Sequence, residues 1–165
     1  MRLNVNKLLH TPGAQRDFRF ELDLSDLEFG GSHPVSRPVI VEGRLKNEAS
    51  VLLCSMECST TLRSVCDRCL EEFDEPKAVA YSCVIAQEKQ LEDSDDIVVP
   101  EQDEVDLGEL ARTAFILDMD TKTLCSPDCR GLCGGCGVNL NREKCRCKKQ
   151  VDPRLAALAR LLEDE

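Results

Sequence analysis

Eight of the chain's eleven cysteines stand in close pairs. Cys66-Asp67-Arg68-Cys69 and Cys133-Gly134-Gly135-Cys136 are C-x2-C pairs, Cys125-Ser126-Pro127-Asp128-Cys129 is C-x3-C, and Cys145-Arg146-Cys147 is C-x-C. A tight turn between two cysteines aims both sulfurs at one point, which is what a tetrahedral ion with sulfur ligands at about 2.3 Å requires. Gly134, Gly135 and Gly137 suit such turns, because backbone amides approach the sulfurs closely there. Eight paired cysteines make two complete four-sulfur sites, so Cys66, Cys69, Cys125, Cys129, Cys133, Cys136, Cys145 and Cys147 are the expected ligands of two zinc ions. Iron–sulfur clusters use the same thiolates. A closed site ligated entirely by protein, with no evident electron partner, favours zinc.

Two pairings are open. In the favoured one, Cys133 and Cys136 join Cys145 and Cys147 in a local unit that closes a short loop at small entropic cost. Cys66 and Cys69 then share a metal with Cys125 and Cys129 across more than fifty residues. The rival pairing joins Cys125 and Cys129 to Cys133 and Cys136, and strands the other two pairs as half sites. A second chemistry competes for Cys66 and Cys69, that of a thiol redox enzyme. A redox C-x2-C opens a helix within a βαβ pattern, however, whereas this one ends an antiparallel hairpin. Cys54, Cys58 and Cys83 fall on apolar strand faces and are expected to act as small core hydrophobes. His10 and His33 stand in polar stretches near proline and are expected to be exposed loop residues. The sequence holds no Gly-rich phosphate loop and no Ser/His/Asp constellation, so neither catalysis nor a small-molecule substrate is expected.

The elements that must position these cysteines are mostly strands. Phe18, Phe20, Leu22 and Leu24 alternate with polar residues, and Val39, Val41 and Leu45 do the same with Gly43 in phase. A polar connection, Lys46-Asn47-Glu48-Ala49-Ser50, leads into Leu52, Cys54, Met56, Cys58, Thr60 and Leu62, which share one face of a hairpin strand. Val79, Tyr81, Cys83 and Ile85 line another. Residues 87–105 are acidic and read as a loop. Asp106 can cap a helix over 106–117, with Leu107, Leu110, Ala111, Ala114 and Leu117 at helical spacing and Glu109 placed to reach back. A last helix is expected from Asp152-Pro153, with Leu155, Leu158, Leu161 and Leu162 as its apolar stripe. The fold class is therefore α+β: an antiparallel β-sheet core, two short helices and a C-terminal zinc-binding module. The sheet domain is expected over 1–120 and the cysteine-rich module over 121–165.

Charge is distributed unevenly within a net −10. Residues 86–120 hold twelve acids and two bases, whereas 121–149 hold seven bases and two acids. The acidic balance opposes broad nonspecific binding of nucleic acid, yet leaves room for a local contact through Arg130, Arg142, Lys144, Arg146, Lys148 and Lys149. Nothing approaches the apolar length of a membrane span, and the N-terminus has no apolar signal region, so a cytoplasmic, reducing compartment is expected. There eleven cysteines call for metal rather than disulfides.

The ensemble from Cys66-Asp67-Arg68-Cys69-Leu70-Glu71-Glu72-Phe73 through the acidic loop and Asp106-Leu107 resembles the YceD family of large ribosomal RNA subunit accumulation proteins. The run from Leu124 to Cys133, continued by Cys136-Gly137-Val138-Asn139-Leu140-Asn141 and Asp152-Pro153-Arg154-Leu155, is similar to the form common in Gram-positive bacteria, with its extended cysteine-rich tail. The resemblance implies a bacterial role in accumulating large-subunit ribosomal RNA, and with no catalytic constellation in the sequence that role is expected to be non-enzymatic. The partner it implies is that RNA or a basic ribosomal protein, the latter met by the acidic residues 88–106.

Overall fold

In the computed structural model the described residues are 1–48, 51–86 and 97–147. The C-terminal helix expected from Asp152, the basic residues Lys148 and Lys149, and the acidic stretch 87–96 lie outside them. The described chain comprises β1 (Arg2–Asn4), α1 (Asn6–Leu9), β2 (Gln15–Leu22), β3 (Val39–Glu48), β4 (Val51–Val65), β5 (Glu72–Ile85), β6 (Ile97–Val98), β7 (Glu104–Asp106) and α2 (Leu107–Leu117). It divides into two compact units, one of residues 1–65 and 72–123, the other of 66–71 and 124–165.

The first unit is built on a five-stranded sheet in the order β2-β3-β4-β5-β6, beside a two-stranded β1-β7 pair. Period-two alternation explains its inner face: Val39, Val41, Leu45, Leu52, Cys54, Cys58, Leu62, Val79, Cys83 and Ile85 are buried. The outer face carries ion pairs such as Arg19–Glu42 at 2.9 Å and Arg63–Glu72. Cys54 stands opposite Cys83 across β4 and β5, and with Cys58 these thiols fill the core as small apolar groups. Burial pushes the Cys58 thiol up, so it stays protonated. In β3 the glycine is dictated by close approach. A Cβ at Gly43 would lie 2.5 Å from both the Phe18 ring and the Ser55 carbonyl oxygen.

Helix α2 closes this core. The Asp106 carboxylate accepts from the backbone amides of Gly108 at 2.9 Å and Glu109 at 3.2 Å, an N-cap that satisfies two orphan donors. Leu107, Ala111 and Phe115 are buried together with the inner sheet face and with Leu3, Val5 and Leu9.

Three sequence expectations need correction. The sheet is mixed rather than purely antiparallel, because β6 pairs parallel to β5, with Val84 opposite Ile97 and Ile85 opposite Val98. A parallel neighbour needs a crossover of about a dozen residues, and the chain between Ile85 and Ile97 supplies that length. Residues 97–105, expected to be loop, hold β6 and most of β7. The polar connection after Leu45 is largely strand, since β3 runs to Glu48, which pairs with Val51. There Asn47 is 2% exposed and its side-chain amide donates to the carbonyls of Leu8 at 2.6 Å and Leu9 at 2.8 Å. It ties down the end of α1, a helix with no clear sequence signature. Among the described residues no helix is long and apolar enough to cross a membrane.

Candidate metal centre

Among the described residues the second unit holds two knuckles of one design. In the first, the Cys66 amide donates to the Glu71 carbonyl at 2.9 Å and the Leu70 amide donates to the Cys66 carbonyl at 2.8 Å. In the second, the Cys133 amide donates to Val138 O at 2.8 Å and the Gly137 amide to Cys133 O at 2.8 Å. Both turns end on a left-handed residue directly after the second cysteine, Leu70 at φ 58° and Gly137 at φ 72°. Glycine adopts that conformation freely; a leucine there costs about 1–2 kcal/mol. The equivalence of Leu70 and Gly137 is invisible in composition and plain in the hydrogen bonds.

These turns bring the pairs together in two sets: Cys66, Cys69, Cys125 and Cys129, and Cys133, Cys136, Cys145 and Cys147. Within each set the sulfurs lie within 4.8 Å of one another. In the first set Cys66 Sγ is 3.8 Å from Cys129 Sγ, and Cys69 Sγ is 3.6 Å from Cys125 Sγ. In the second, Cys133 Sγ is 3.2 Å from Cys145 Sγ and 4.0 Å from Cys147 Sγ, and Cys136 Sγ is 4.0 Å from Cys145 Sγ. A tetrahedron with metal–sulfur bonds of about 2.3 Å has edges of roughly 3.8 Å, so the sulfurs stand at ligand spacing. They are well beyond the roughly 2.0 Å of a disulfide. This grouping is the first of the two pairings the spacing allowed.

The first set is assembled around Arg68, whose guanidinium donates to the carbonyls of Cys129 at 2.8 Å and Pro127 at 3.3 Å. The Leu132 amide donates to Arg68 O at 2.9 Å, drawing the chain after Cys129 alongside the turn. Asn141 adds a side-chain donor: its Nδ2 lies 3.2 Å from Cys129 Sγ, while its Oδ1 accepts from the Arg130 amide at 2.8 Å. The backbone amide of Asn141 is in turn held by Asn139 Oδ1 at 2.9 Å. Sequence reasoning missed Arg68, Asn139 and Asn141 as positioning residues. Their only sequence signal is the Asn-x-Asn spacing, which favours local side-chain turns.

Electrostatics explains why each set suits a cation. Burial pushes the Cys66 thiol up, but the amides of Cys125, Cys69 and Arg68 outweigh it and bring it to about 6. Cys133 is likewise lowered to about 6, chiefly by the amides of Cys136 and Gly135. Within the same sets, Cys125 is raised to about 12 by burial and then by the neighbouring thiols of Cys69 and Cys66. Cys147 is raised to about 12 by Cys136 and Cys145. Without a cation the amides stabilise one negative sulfur readily and crowding resists the rest; a divalent ion removes that conflict. The donor set thus fits a thiophilic metal.

The basic residues flank these sets. Arg142 pairs with Glu71 at 2.8 Å, and Arg146 approaches Glu143 at 3.9 Å. Arg130 and Lys144 are exposed and have no ion pair among the described residues. With Leu140, Asn141, Arg142 and Glu143 they line a shallow pocket of about 340 Å³.

Sheet and knuckles together define a mainly β protein with an appended module of two four-cysteine clusters, each able to hold a metal ion. Residues 54–162 match the model of the family described as "Large ribosomal RNA subunit accumulation protein YceD", and the chain belongs to that family. It is 32% identical over 175 aligned positions to an uncharacterized protein of Mycobacterium bovis, covering all of this chain and 83% of that protein. It is 30% identical over 80 residues to the maize protein named "Large ribosomal RNA subunit accumulation protein YCED homolog 1, chloroplastic", covering 47% of this chain. The matched stretch is 27% of that maize protein, so the chain spans about a quarter of its length. No solved structure is significantly similar to the chain.

Proposed function

We propose that the chain is a non-enzymatic, cytoplasmic zinc-binding factor in large ribosomal subunit biogenesis, and that it supports accumulation of the subunit's RNA. The carrying observation is the pair of four-sulfur sets at tetrahedral spacing in a member of this family. Cys66, Cys69, Cys125 and Cys129 hold one zinc; Cys133, Cys136, Cys145 and Cys147 hold the other. The metal supplies folding free energy and charge neutralisation, because neither set has a core of its own to fix its loops. The full sets leave no open ligand position for catalysis. The competing thiol redox enzyme is disfavoured by the setting of Cys66 and Cys69, in a turn between antiparallel strands rather than at a helix start.

Pre-ribosomal RNA is the partner the module's surface supports. Zinc cancels half of each set's four thiolate charges, leaving −2 per site against the local +5, and Arg130 and Lys144 remain the least compensated cations, with Arg142, Arg146, Lys148 and Lys149 around them in sequence. A basic ribosomal protein bound through acidic residues 88–106 is the second reading, favoured by the twelve acids between 86 and 120.

The test has two parts. Elemental analysis of the purified chain is expected to give two zinc equivalents, and Cys66→Ser or Cys145→Ser one each; stoichiometric iron with sulfide refutes zinc. Binding of a large-subunit RNA transcript is then followed across salt. Arg130→Glu with Lys144→Glu is expected to weaken binding and flatten the log–log salt slope by about 1.4–1.8, the counterion release of two phosphate contacts. Unchanged binding rejects the contact, and loss of large-subunit RNA only on neutralising Glu92, Asp93, Asp95 and Asp96 moves the partner to a basic protein.

A further inference from the structure

The two cysteine sets differ in the property that governs thiolate reactivity toward small oxidants, access to water. Cys66, Cys69 and Cys129 are buried, and only Cys125 of that set is exposed. In the other set Cys136, Cys145 and Cys147 are exposed and Cys133 is half-buried. The first set is shielded further by the Asn141 amide on Cys129. On the second set the donors among the described residues are backbone amides, such as Cys147 N to Cys145 Sγ at 3.3 Å. The sulfurs of Cys133 and Cys145, 3.2 Å apart, are also closer than a tetrahedral edge of roughly 3.8 Å. The polypeptide thus lets these two sulfurs approach more closely than a metal would hold them; from a tetrahedral edge of roughly 3.8 Å a disulfide needs an approach of about 1.8 Å.

We propose, resting on the reading that both sets hold zinc, that Cys133, Cys136, Cys145 and Cys147 form a peroxide-sensitive site. It releases its metal on formation of a Cys133–Cys145 disulfide, while the Cys66 set keeps its own. The exposed Cys145 thiolate attacks one oxygen of hydrogen peroxide. The O–O bond breaks, hydroxide leaves, and the sulfur becomes a sulfenic acid. The Cys133 thiolate then attacks that sulfur, forming the S–S bond and displacing a second hydroxide. Two thiolates give up two electrons, and one peroxide takes them and departs as two hydroxides. Cys136 and Cys147 alone are too few to hold the ion. A dithiol reductant reverses the step by exchange, and zinc rebinds. Cys54 and Cys83 are also neighbours, but at 1% and 4% exposure they are closed to the oxidant.

The consequence is regulatory. Arg142, Lys144 and Arg146 lie between Cys136 and Cys147, on the segment whose path the second metal fixes. Oxidation replaces the metal's four-point hold on that segment with the single Cys133–Cys145 cross-link, which resets the path of Arg142 and Lys144 and releases Arg146, so the RNA contact is altered without dismantling the Cys66 set.

The full zinc-loaded chain is treated with one equivalent of hydrogen peroxide in the presence of a chromogenic zinc chelator, and disulfides are mapped by mass spectrometry. Expected are loss of one of two zinc equivalents, a Cys133–Cys145 cross-linked peptide, retention of the second equivalent, and recovery on adding dithiothreitol and zinc. Simultaneous loss of both equivalents, a first disulfide within the Cys66 set, or metal loss with no disulfide in the Cys133 set overturns the proposal. The untreated protein separates the two levels of inference. Fewer than two zinc equivalents there reject the zinc reading and the proposal with it; two equivalents with uniform release reject the proposal alone.

Discussion

Asn141→Leu tests whether the first cysteine set is tuned by its surroundings or merely assembled by its ligands. In the native chain Asn141 Nδ2 lies 3.2 Å from Cys129 Sγ, and Oδ1 accepts from the Arg130 amide at 2.8 Å. The Cys129 thiol sits below its ordinary range, first because of that side-chain amide, which outweighs burial with help from the Gly131 amide. Leucine removes the largest lowering influence, so the Cys129 pKa rises and less thiolate exists at a given pH. Protons compete with zinc for the sulfur, and acid-driven zinc release must therefore begin at higher pH than in wild type. Loss of an outer hydrogen-bond partner costs about 10–100-fold in metal affinity, or about 1.4–2.7 kcal/mol. Asn141→Asp should be worse, because it replaces the donor with a second negative charge beside the thiolate. Zinc affinity is read by chelator competition and the release midpoint by pH titration, with Cys145→Ser as background so that only one site is loaded. Wild-type affinity and midpoint in both variants would refute the tuning role and reduce Asn141 to a loop residue.

Two further substitutions probe the sheet unit. Asn47→Ala removes both donors to the Leu8 and Leu9 carbonyls from a 2% exposed position, and is expected to destabilise by about 2–4 kcal/mol in urea unfolding followed by circular dichroism. A loss below about 1 kcal/mol would mean that those carbonyls find other partners. Gly43→Ala sets a methyl 2.5 Å from the Ser55 carbonyl and 2.9 Å from Met56 Cβ, so β3 and β4 must part; about 1–3 kcal/mol is expected, and an unchanged urea midpoint would contradict it.

What the sequence disclosed follows the range of the interactions involved. Strand faces were legible because alternation is a local property: Leu52, Cys54, Met56, Cys58 and Leu62 are buried as their spacing demands. The Asp106 cap was legible for the same reason, its carboxylate reaching only the amides two and three residues on. The parallel β6 was not, because a two-residue strand has no period and its register depends on a partner thirteen residues away. Asn47 misled because a polar residue beside a turn reads as exposed. Its partners, Leu8 and Leu9, lie 39 and 38 positions away. Among the cysteines, type and turn spacing announced which eight gather into sets that could hold a metal but left the pairing open, since the joining of Cys66 and Cys69 to Cys125 and Cys129 rests on long-range contacts such as Arg68 to the Cys129 carbonyl.

That division of range bears on why one module would carry two metals. Cys69 and Cys125 are 56 positions apart, and Cys66 and Cys129 are 63 apart. In the chain-entropy account, cross-linking a loop of that length disfavours the unfolded chain by about 4 kcal/mol. Cys136 and Cys145 are 9 apart, and the same account gives about 2.5 kcal/mol. The difference favours a division of labour. The long-range set ties residues 66–71, which join β4 to β5, to residues after α2, so losing its metal would release the path of the whole second unit. The local set orders only its own short segment, so it can exchange metal or be oxidised at small cost to the rest. Burial runs in the same direction, with three of four sulfur residues buried in the long-range set and none in the local one. On the zinc reading, the metal that would fix the path of the chain would be kept from solvent, and the one that would order a basic segment would be left within reach of it.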